Sequence, residues 1–432
     1  MRLEIRVDVN SMTSKYIRLS ALSVASVVIL SSVAHAQNEI DVFDRSDFTA
    51  IDERPNVETD PVPFPVGIFI VQPSADFSVG WSSNVFATST SSEGGNYIGF
   101  LPRFDVSSNW EKHALGGLLR VEHVENSSNS SESKTDVKLG LDGRMDLSNS
   151  TSIFGDVFSE DITEDRTAFS TIAGSLEPNE YSRAGGGLGL LHEADRVLID
   201  ARFDITAFDH DDAELPNDFF QDQDLRDRDE LDGRVRLAYA VDANWAAYTE
   251  ARRIEADFDL PGIFNAFNRD YEGNVLSVGS DFEFGDSVRG DVGIGFMSYT
   301  FNDPTFADIE DVSISGNVQW ALGDQTTIET EFARAVIDPG IAETIAAVET
   351  GLNVRVAHGV SSKVFLIGEA GFNNYEFENI DRSDDRVGFL FGANWRVNQN
   401  IWLESNYELR DSSSPAQEFS ENRVLFRMRV FP

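Results

Sequence analysis

The sequence predicts an all-β fold: a transmembrane antiparallel β-barrel of the bacterial outer membrane, with about 18 strands and 16 as the alternative. Three observations predict it. Long segments alternate apolar and polar residues at period two. Very short turns alternate with longer polar loops along the chain. The apolar content is only 41% and the formal charge is −40, which suits strands that are greasy on one face and wetted on the other.

The charge and the absence of Cys narrow the chemistry. With 74 acids against 34 bases, a phosphate backbone would be repelled, so no nucleic-acid partner is expected. Zero Cys excludes disulfides, thiolate metal sites and a Cys nucleophile. Aromatics at 11%, spread along the chain, argue against disorder.

The N-terminus reads as an address. Lys15 and Arg18 precede the uncharged run from Leu19 to Ala34, and Ala34-His35-Ala36 supplies small residues for cleavage. Residues 1–36 are therefore expected to be a secretory signal peptide, with Met12 as an alternative start. Removing them leaves 30 bases against 72 acids, a charge of about −42. The run is too short for a helical span, which needs about 20 apolar residues. Residues 37–67 read as an acidic, Pro-rich periplasmic extension, poorly ordered at first. Residues 37–66 hold eight acids and two bases, with Pro61, Pro63 and Pro65 close together. Such prolines favour an extended strut.

From residue 68 to 432 the alternation defines the barrel. Val137, Leu139, Leu141, Met145 and Leu147 share one face, opposite Lys138, Asp142, Arg144 and Asp146. Val197, Ile199, Ala201, Phe203 and Ile205 oppose Asp200, Arg202 and Asp204, and Phe389, Phe391 and Trp395 oppose Gly392, Asn394 and Arg396. Period two places successive side chains on opposite faces of a strand. Short turns are expected at Glu111-Lys112, Ser148-Asn149, Ala194-Asp195, Asp242-Ala243, Gly285-Asp286, Gly323-Asp324, Gly359-Val360 and Asn398-Gln399, 36 to 48 residues apart. Nine longer loops alternate with them, including 164–179, 210–227 and 338–344. Short periplasmic turns and long extracellular loops are the habit of outer-membrane barrels. Trp110, Trp245, Trp320, Trp395 and Trp402 lie near the short turns and are expected to form an interfacial girdle, with Trp81 at the other rim.

Val66-Gly67-Ile68-Phe69-Ile70-Val71-Gln72-Pro73-Ser74, followed by Gly80-Trp81-Ser82-Ser83-Asn84-Val85-Phe86, resembles the opening of the putative β-barrel porin 2 family. The resemblance implies a signal peptide, a periplasmic leader and an outer-membrane barrel, in a family often linked to exopolysaccharide or capsule export. It implies no catalytic residues. The last strand departs from the usual pattern: Val424, Phe426, Met428 and Val430 alternate, but Phe431 stands one place off and Pro432 ends the chain.

Candidate site residues follow from the polar strand faces. Those expected to line a lumen are Asp105, Arg120, Glu122, Arg144, Asp200, Arg202, Arg234, Arg236, Glu250, Arg252, Asp281, Glu283, Arg289, Asp291, Glu329, Glu331, Glu369, Arg396, Glu404, Glu408, Arg423, Arg427 and Arg429. Rings of such charges would set the selectivity of a water-filled pore, while full mutual pairing would close it. Arg423, Arg427 and Arg429 share one face and have Glu404 and Glu408 as neighbours on the preceding strand.

Gly185, Gly186, Gly187 and Gly189 lie inside an alternating strand and read as close packing in the lumen or barrel curvature. The acidic loop 209–230 has ten acids and two bases. Asp209-His210-Asp211-Asp212 within it resembles the Asp–His arrangement of some outer-membrane proteases, although a His beside Asp is expected there from composition alone. Asp222, Asp224, Asp227 and Asp229 are weak Ca²⁺ candidates without the EF-hand spacing, and no cofactor is implied.

The expected function is a porin-like, non-enzymatic channel for small solutes or a polysaccharide chain. A membrane-embedded hydrolase and a closed structural or adhesion barrel are the alternatives. Expected surroundings are outer-membrane lipid, lipopolysaccharide, the barrel-insertion machinery and periplasmic export proteins.

Overall fold

The structure, a computed structural model, describes residues 49–259, 268–285, 287–341, 344–415 and 418–432. The expected signal peptide (residues 1–36), residues 37–48 of the expected leader, and Asp286 of one expected turn lie outside the described residues.

Eighteen long strands form the wall. They are β1 (Phe69–Ser82), β2 (Gly95–Ser108), β3 (Ala114–Asn126), β4 (Lys134–Ser148), β5 (Thr151–Thr163) and β6 (Glu180–Ala194). Next come β7 (Val197–His210), β8 (Arg228–Ala240), β9 (Trp245–Phe258), β10 (Tyr271–Phe284), β11 (Val288–Phe301) and β12 (Ile309–Ala321). The last are β13 (Thr326–Ile337), β14 (Ala347–Gly359), β15 (Val364–Phe377), β16 (Ser383–Asn398), β17 (Ile401–Ser413) and β18 (Phe419–Val430). Each pairs antiparallel with its neighbours in sequence, and β18 closes on β1 from Ala75–Val430 to Ser82–Arg423. Closure removes the sheet edges that a membrane could not satisfy. A short strand, Phe64–Val66, folds back on the start of β1 through Gly67, whose φ of +65° is the left-handed geometry that favours glycine. The expected count of 18 and the expected rims are observed. Short turns join β2 to β3, β4 to β5 and so on around one end, and the longer loops lie at the other.

The distribution of polarity is inverted relative to a soluble protein. Leu188, Leu276 and Phe296 are 63%, 63% and 74% exposed, whereas Asp200, Glu349 and Glu421 are at most 1% exposed. Apolar side chains face outward towards lipid, and charged ones face the interior. Exposed Trp110, Trp245, Trp320 and Trp395 ring the short-turn end as expected. Trp402 does not join them. It shares the inward face of β17 with Glu404 and Glu408, so strand parity turns its indole into the barrel. There it meets Phe431 edge-on at 5.0 Å between ring centres. The displaced C-terminal Phe is thus an inward packing residue, 6% exposed, whose N–H donates to Asn400 O.

The glycines of β6 make room for lumenal side chains. A Cβ on Gly189 would lie 2.2 Å from the Phe154 ring, and one on Gly187 would lie 2.5 Å from the Arg202 guanidinium. Phe154 and Arg202 therefore lie flat against bare backbone, with the Arg202 guanidinium 5.8 Å from the Phe154 ring centre.

Candidate functional site

The lumen has three parts. At the short-turn end, residues 49–60 enter the barrel and lie against β13–β17. The Ile51 N–H donates to Thr327 Oγ1 at 3.0 Å, and Ile51 packs beside Ala357, Phe365, Ile367 and Leu390. Asp52 pairs with Arg355, which also holds Glu329 at 2.8 Å and Glu369 at 3.5 Å. Arg396 lies 4.6 Å from the Trp402 ring centre, donates to the Asp52 carbonyl and pairs with Asp60 at 3.2 Å. Trp402 Nε1 donates to Thr59 O at 2.9 Å. Ala50, Asp52 and Thr59 are buried. Residues 49–60 of the leader are therefore a docked segment, where the sequence suggested poor order ahead of the proline strut.

At the long-loop end, loop 164–179 folds inward from β5 and reaches the far wall. Asp165 pairs with Arg410 at 3.4 Å and with Arg423 at 3.3 Å. Phe169 meets Tyr375 and Phe377 edge-on at 4.7 and 5.2 Å, under the Arg386 guanidinium at 3.8 Å. Arg386 also donates to Thr167 O at 2.7 Å. Glu164 takes Arg226 at 2.5 Å, and Arg166 takes Glu132 at 2.6 Å. From another loop, Asp338 turns in to Arg269 at 2.7 Å. Burial raises the Asp165 carboxyl, but Arg410, Arg423 and the Thr167 N–H outweigh it and hold its pKa well below the usual carboxylate range. Glu164 is lowered too: Arg226, Asn179 and Ser170 outweigh burial.

Between these closures lies a cavity of about 1480 Å³, lined mainly by β2–β13. Its lining holds fifteen Lys/Arg and seventeen Asp/Glu, near balance in a chain whose net charge is −40. Many are partners two residues apart on one strand face: Arg103–Asp105 at 2.7 Å, Arg120–Glu122 at 2.6 Å and Arg202–Asp204 at 2.6 Å. Others bridge neighbouring strands, as Arg183–Glu160, Arg234–Asp200 and Arg252–Asp232 do at 2.6 to 2.7 Å, and Arg202–Asp156 at 2.6 Å reaches from β7 across β6 to β5.

Of the expected lining residues, Arg120, Glu122, Arg144, Arg202, Arg234, Glu250, Arg252, Glu331 and Arg423 border this cavity, as do Asp105 and Glu369. Asp200, Arg236, Asp281, Asp291, Glu408 and Arg427 are buried on the inner face. Asp291 accepts from Tyr248 and pairs with Arg236 at 3.3 Å, and Glu283 stands opposite Arg289 in the β10–β11 register. Glu329 belongs to the Arg355 cluster, and Arg396 to the leader. In the expected basic ladder, Arg427 pairs with Glu404 at 2.9 Å, Arg429 with Asp76 at 2.6 Å and Arg423 with Glu421 at 2.5 Å.

Lys138, on the expected polar face, also lines the cavity, as do Glu160, Arg183 and Arg386, which strand parity makes readable but which are not among the expected lining residues. Asp52 and Asp165 lie in aperiodic segments and gave no signal.

His210 pairs with none of its sequence neighbours. Its backbone N–H donates to Asp227 Oδ1 at 2.7 Å, its Nδ1 lies 3.1 Å from the same oxygen, and its ring stacks on Tyr181. That arrangement pins the loop 211–227 to its strands. Asp227 is thus separated from the other Ca²⁺ candidates. Asp222 and Asp224 gather instead with Asp212, all exposed, and Asp229 is not in the group. Exposed carboxylates crowd in this way without an ion, so the grouping assigns no metal.

The family model for putative beta-barrel porin 2 matches residues 58–431. No curated protein sequence matches the chain. Among solved structures, the copper transporter OprC aligns with a TM-score of 0.50 at 10% identity, over 86% of this chain and 81% of that one. The BenF-like porin from Pseudomonas fluorescens Pf-5 gives 0.45 at 10% identity, over 84% and 99%. Pseudomonas aeruginosa OccK2 (OpdF), in complex with glucuronate, gives 0.45 at 9% identity, over 84% and 98%. These likenesses concern fold alone. The inside-out wall, the 18-strand closure and a family match over most of the chain agree, and the chain belongs to the putative beta-barrel porin 2 family.

Proposed function

We propose that this porin-like barrel is an axial aqueous channel for small polar and charged solutes, with the route along the inner face of β2–β9. The observation that carries this reading is the cavity of about 1480 Å³ lined by paired, nearly balanced charges. Such a lining stays wet without holding one ion tightly. Barrels of 16–18 strands leave aqueous space unless chain fills it. Here chain fills the β13–β17 side and leaves the other side open.

The seated loop 164–179 and the docked leader suit small cargo better than a polymer. A polysaccharide strand, and with it a role in exopolysaccharide export beside periplasmic partners, would require that loop to swing away from Arg410 and Arg423. We place the outer face in lipid and lipopolysaccharide of the Gram-negative outer membrane. The alternating Val424, Phe426, Met428 and Val430 would be the face read by the insertion machinery. Charge selectivity arises at the mouth, where residues 209–230 hold ten acids against two bases.

Single-channel recording in planar bilayers tests the reading. Discrete steps are expected, with a mild cation preference at 0.1 M salt that fades at 1 M, where the screening length falls from about 10 Å to about 3 Å. Absence of steps, with full-sized and truncated leader alike, would favour a closed barrel instead.

A further inference from the structure

We propose a lateral portal between β12 and β13, through which a neutral single-chain amphiphile exchanges between the lumen and the outer leaflet. This route is separate from the axial one. The β12–β13 ladder runs only from Ala321–Thr327 up to Ile314–Arg334. Above it, Ile309–Ser313 pair with β11 alone and Ala335–Ile337 with β14 alone. Beside the split, Val336 of β13 packs against a buried cluster formed by Met297, Tyr299 and Ile309 of β11 and β12 with Ala346 and Val348. The Val312 N–H donates to the Asp311 carboxylate at 2.6 Å, a side-chain substitute where the ladder has ended.

The split lies at lipid depth on the β12 side. Val312 stands in register with Phe296, and Phe296 with Leu276, both strongly exposed to lipid. The ladder ends six residues above Trp320. At roughly 3.3 Å per residue and a tilt of about 40°, that is about 15 Å up a hydrocarbon band about 25 Å tall. Unpaired strand edges at that depth are tolerated only where they are covered or line a wet cavity. Here the cavity reaches them: Ser313, Ile314, Ala333 and Val336 all line it.

The two sides of the split differ in chemistry. The β12 side offers Val312 and Ile314, suited to an acyl tail. The β13 side offers Arg334, which donates across the split to Asp311 of β12 at 2.5 Å, and to Glu376 at 3.1 Å and Thr350 on its own side. Two carboxylates outweigh one guanidinium, so an anionic headgroup is disfavoured, while a hydroxyl or ester finds both donors and acceptors.

The chain has no Cys, so an introduced thiol is the sole labelling site. Ser313 and Ser277 both line the cavity, and each is in register with Gly295, so they share one row of the wall. Ser313→Cys stands at the split and Ser277→Cys on intact wall. Each is labelled with bimane and reconstituted in liposomes, with the heat-dependent gel shift of folded barrels as the control for folding. Nitroxide quenchers are then added on a 16-carbon alcohol or on stearate. The alcohol is expected to quench the label at 313 at least threefold more than at 277, and stearate to quench it less than the alcohol does. Equal quenching at both positions overturns the portal, and equal quenching by stearate overturns its preference for a neutral head. Conductance is scored separately, so failure of the axial channel and failure of the portal are distinguishable.

Discussion

The wall of β2–β9 and the wall of β13–β18 carry similar numbers of arginines and use them differently. On β2–β9 each base finds its acid two residues away or on the next strand, as Arg103, Arg120, Arg202 and Arg252 do. On β13–β18 five arginines reach other parts of the chain: Arg355 and Arg396 hold the leader, and Arg386, Arg410 and Arg423 hold loop 164–179. Locally paired charge lines open space, whereas charge with distant partners anchors the chain that fills the barrel. The sequence range of an ion pair therefore separates the open side of the lumen from the occupied side.

The largest expected effect comes from the occupied side. Replacing residues 166–175 with a short Gly-Ser link should raise single-channel conductance severalfold and admit larger sugars in liposome swelling. No change would mean that the loop does not obstruct the route. Deleting residues 49–60 should raise conductance about twofold, because the leader fills only one side of the short-turn mouth. The barrel itself should persist, since Arg355 keeps Glu329 and Glu369, and a gel shift would check this.

Substituting the close-packed glycines breaks the open side. Gly189→Val would place side-chain carbon against the Phe154 ring and should cost about 1–3 kcal/mol, read as lowered unfolding resistance in urea. A smaller effect is expected for Trp402→Phe. It removes one hydrogen bond to Thr59 O, worth about 1 kcal/mol, and should be seen as faster proteolysis of the leader.

The pH dependence has a definite sign. Asp165 is depressed, so its contribution to seating the loop is fully present above about pH 3.9, the ordinary Asp value, and is lost only as pH falls through its lowered pKa. The loop should therefore stay seated from neutral pH to pH 4 and release below that. Asp165→Asn should weaken this dependence and leave the part carried by Glu164, which is also depressed, as read by a spin label on the loop.

The barrel was legible because its signal is local. Period two at Val197–Ile205 and the turn residues at Asp242-Ala243 need no tertiary knowledge. The inward pairs were legible from the same parity, and parity also corrects the placement of Trp402, which shares a face with Glu404. The leader was not legible, because residues 49–60 have no periodicity and their partners lie some 300 residues away. Nor was the β12–β13 split: the ladder ends at Ile314–Arg334, and the one local sign is Arg334, which breaks the apolar row of Ile328, Phe332 and Val336. Asp165 was hidden for the same reason as the leader, since a loop residue acquires its role from where the loop lands.

The central claim is that water and solutes pass along the β2–β9 side while β13–β17 is filled. Thr206 lines the cavity, and Thr327 is 1% exposed and accepts from the leader's Ile51 N–H. Recording single-channel current before and after thiol modification of Thr206→Cys and of Thr327→Cys by a bulky charged reagent tests the claim most directly. The account expects block at 206 and unchanged current at 327; block at 327 with none at 206, or no current at all, would contradict it.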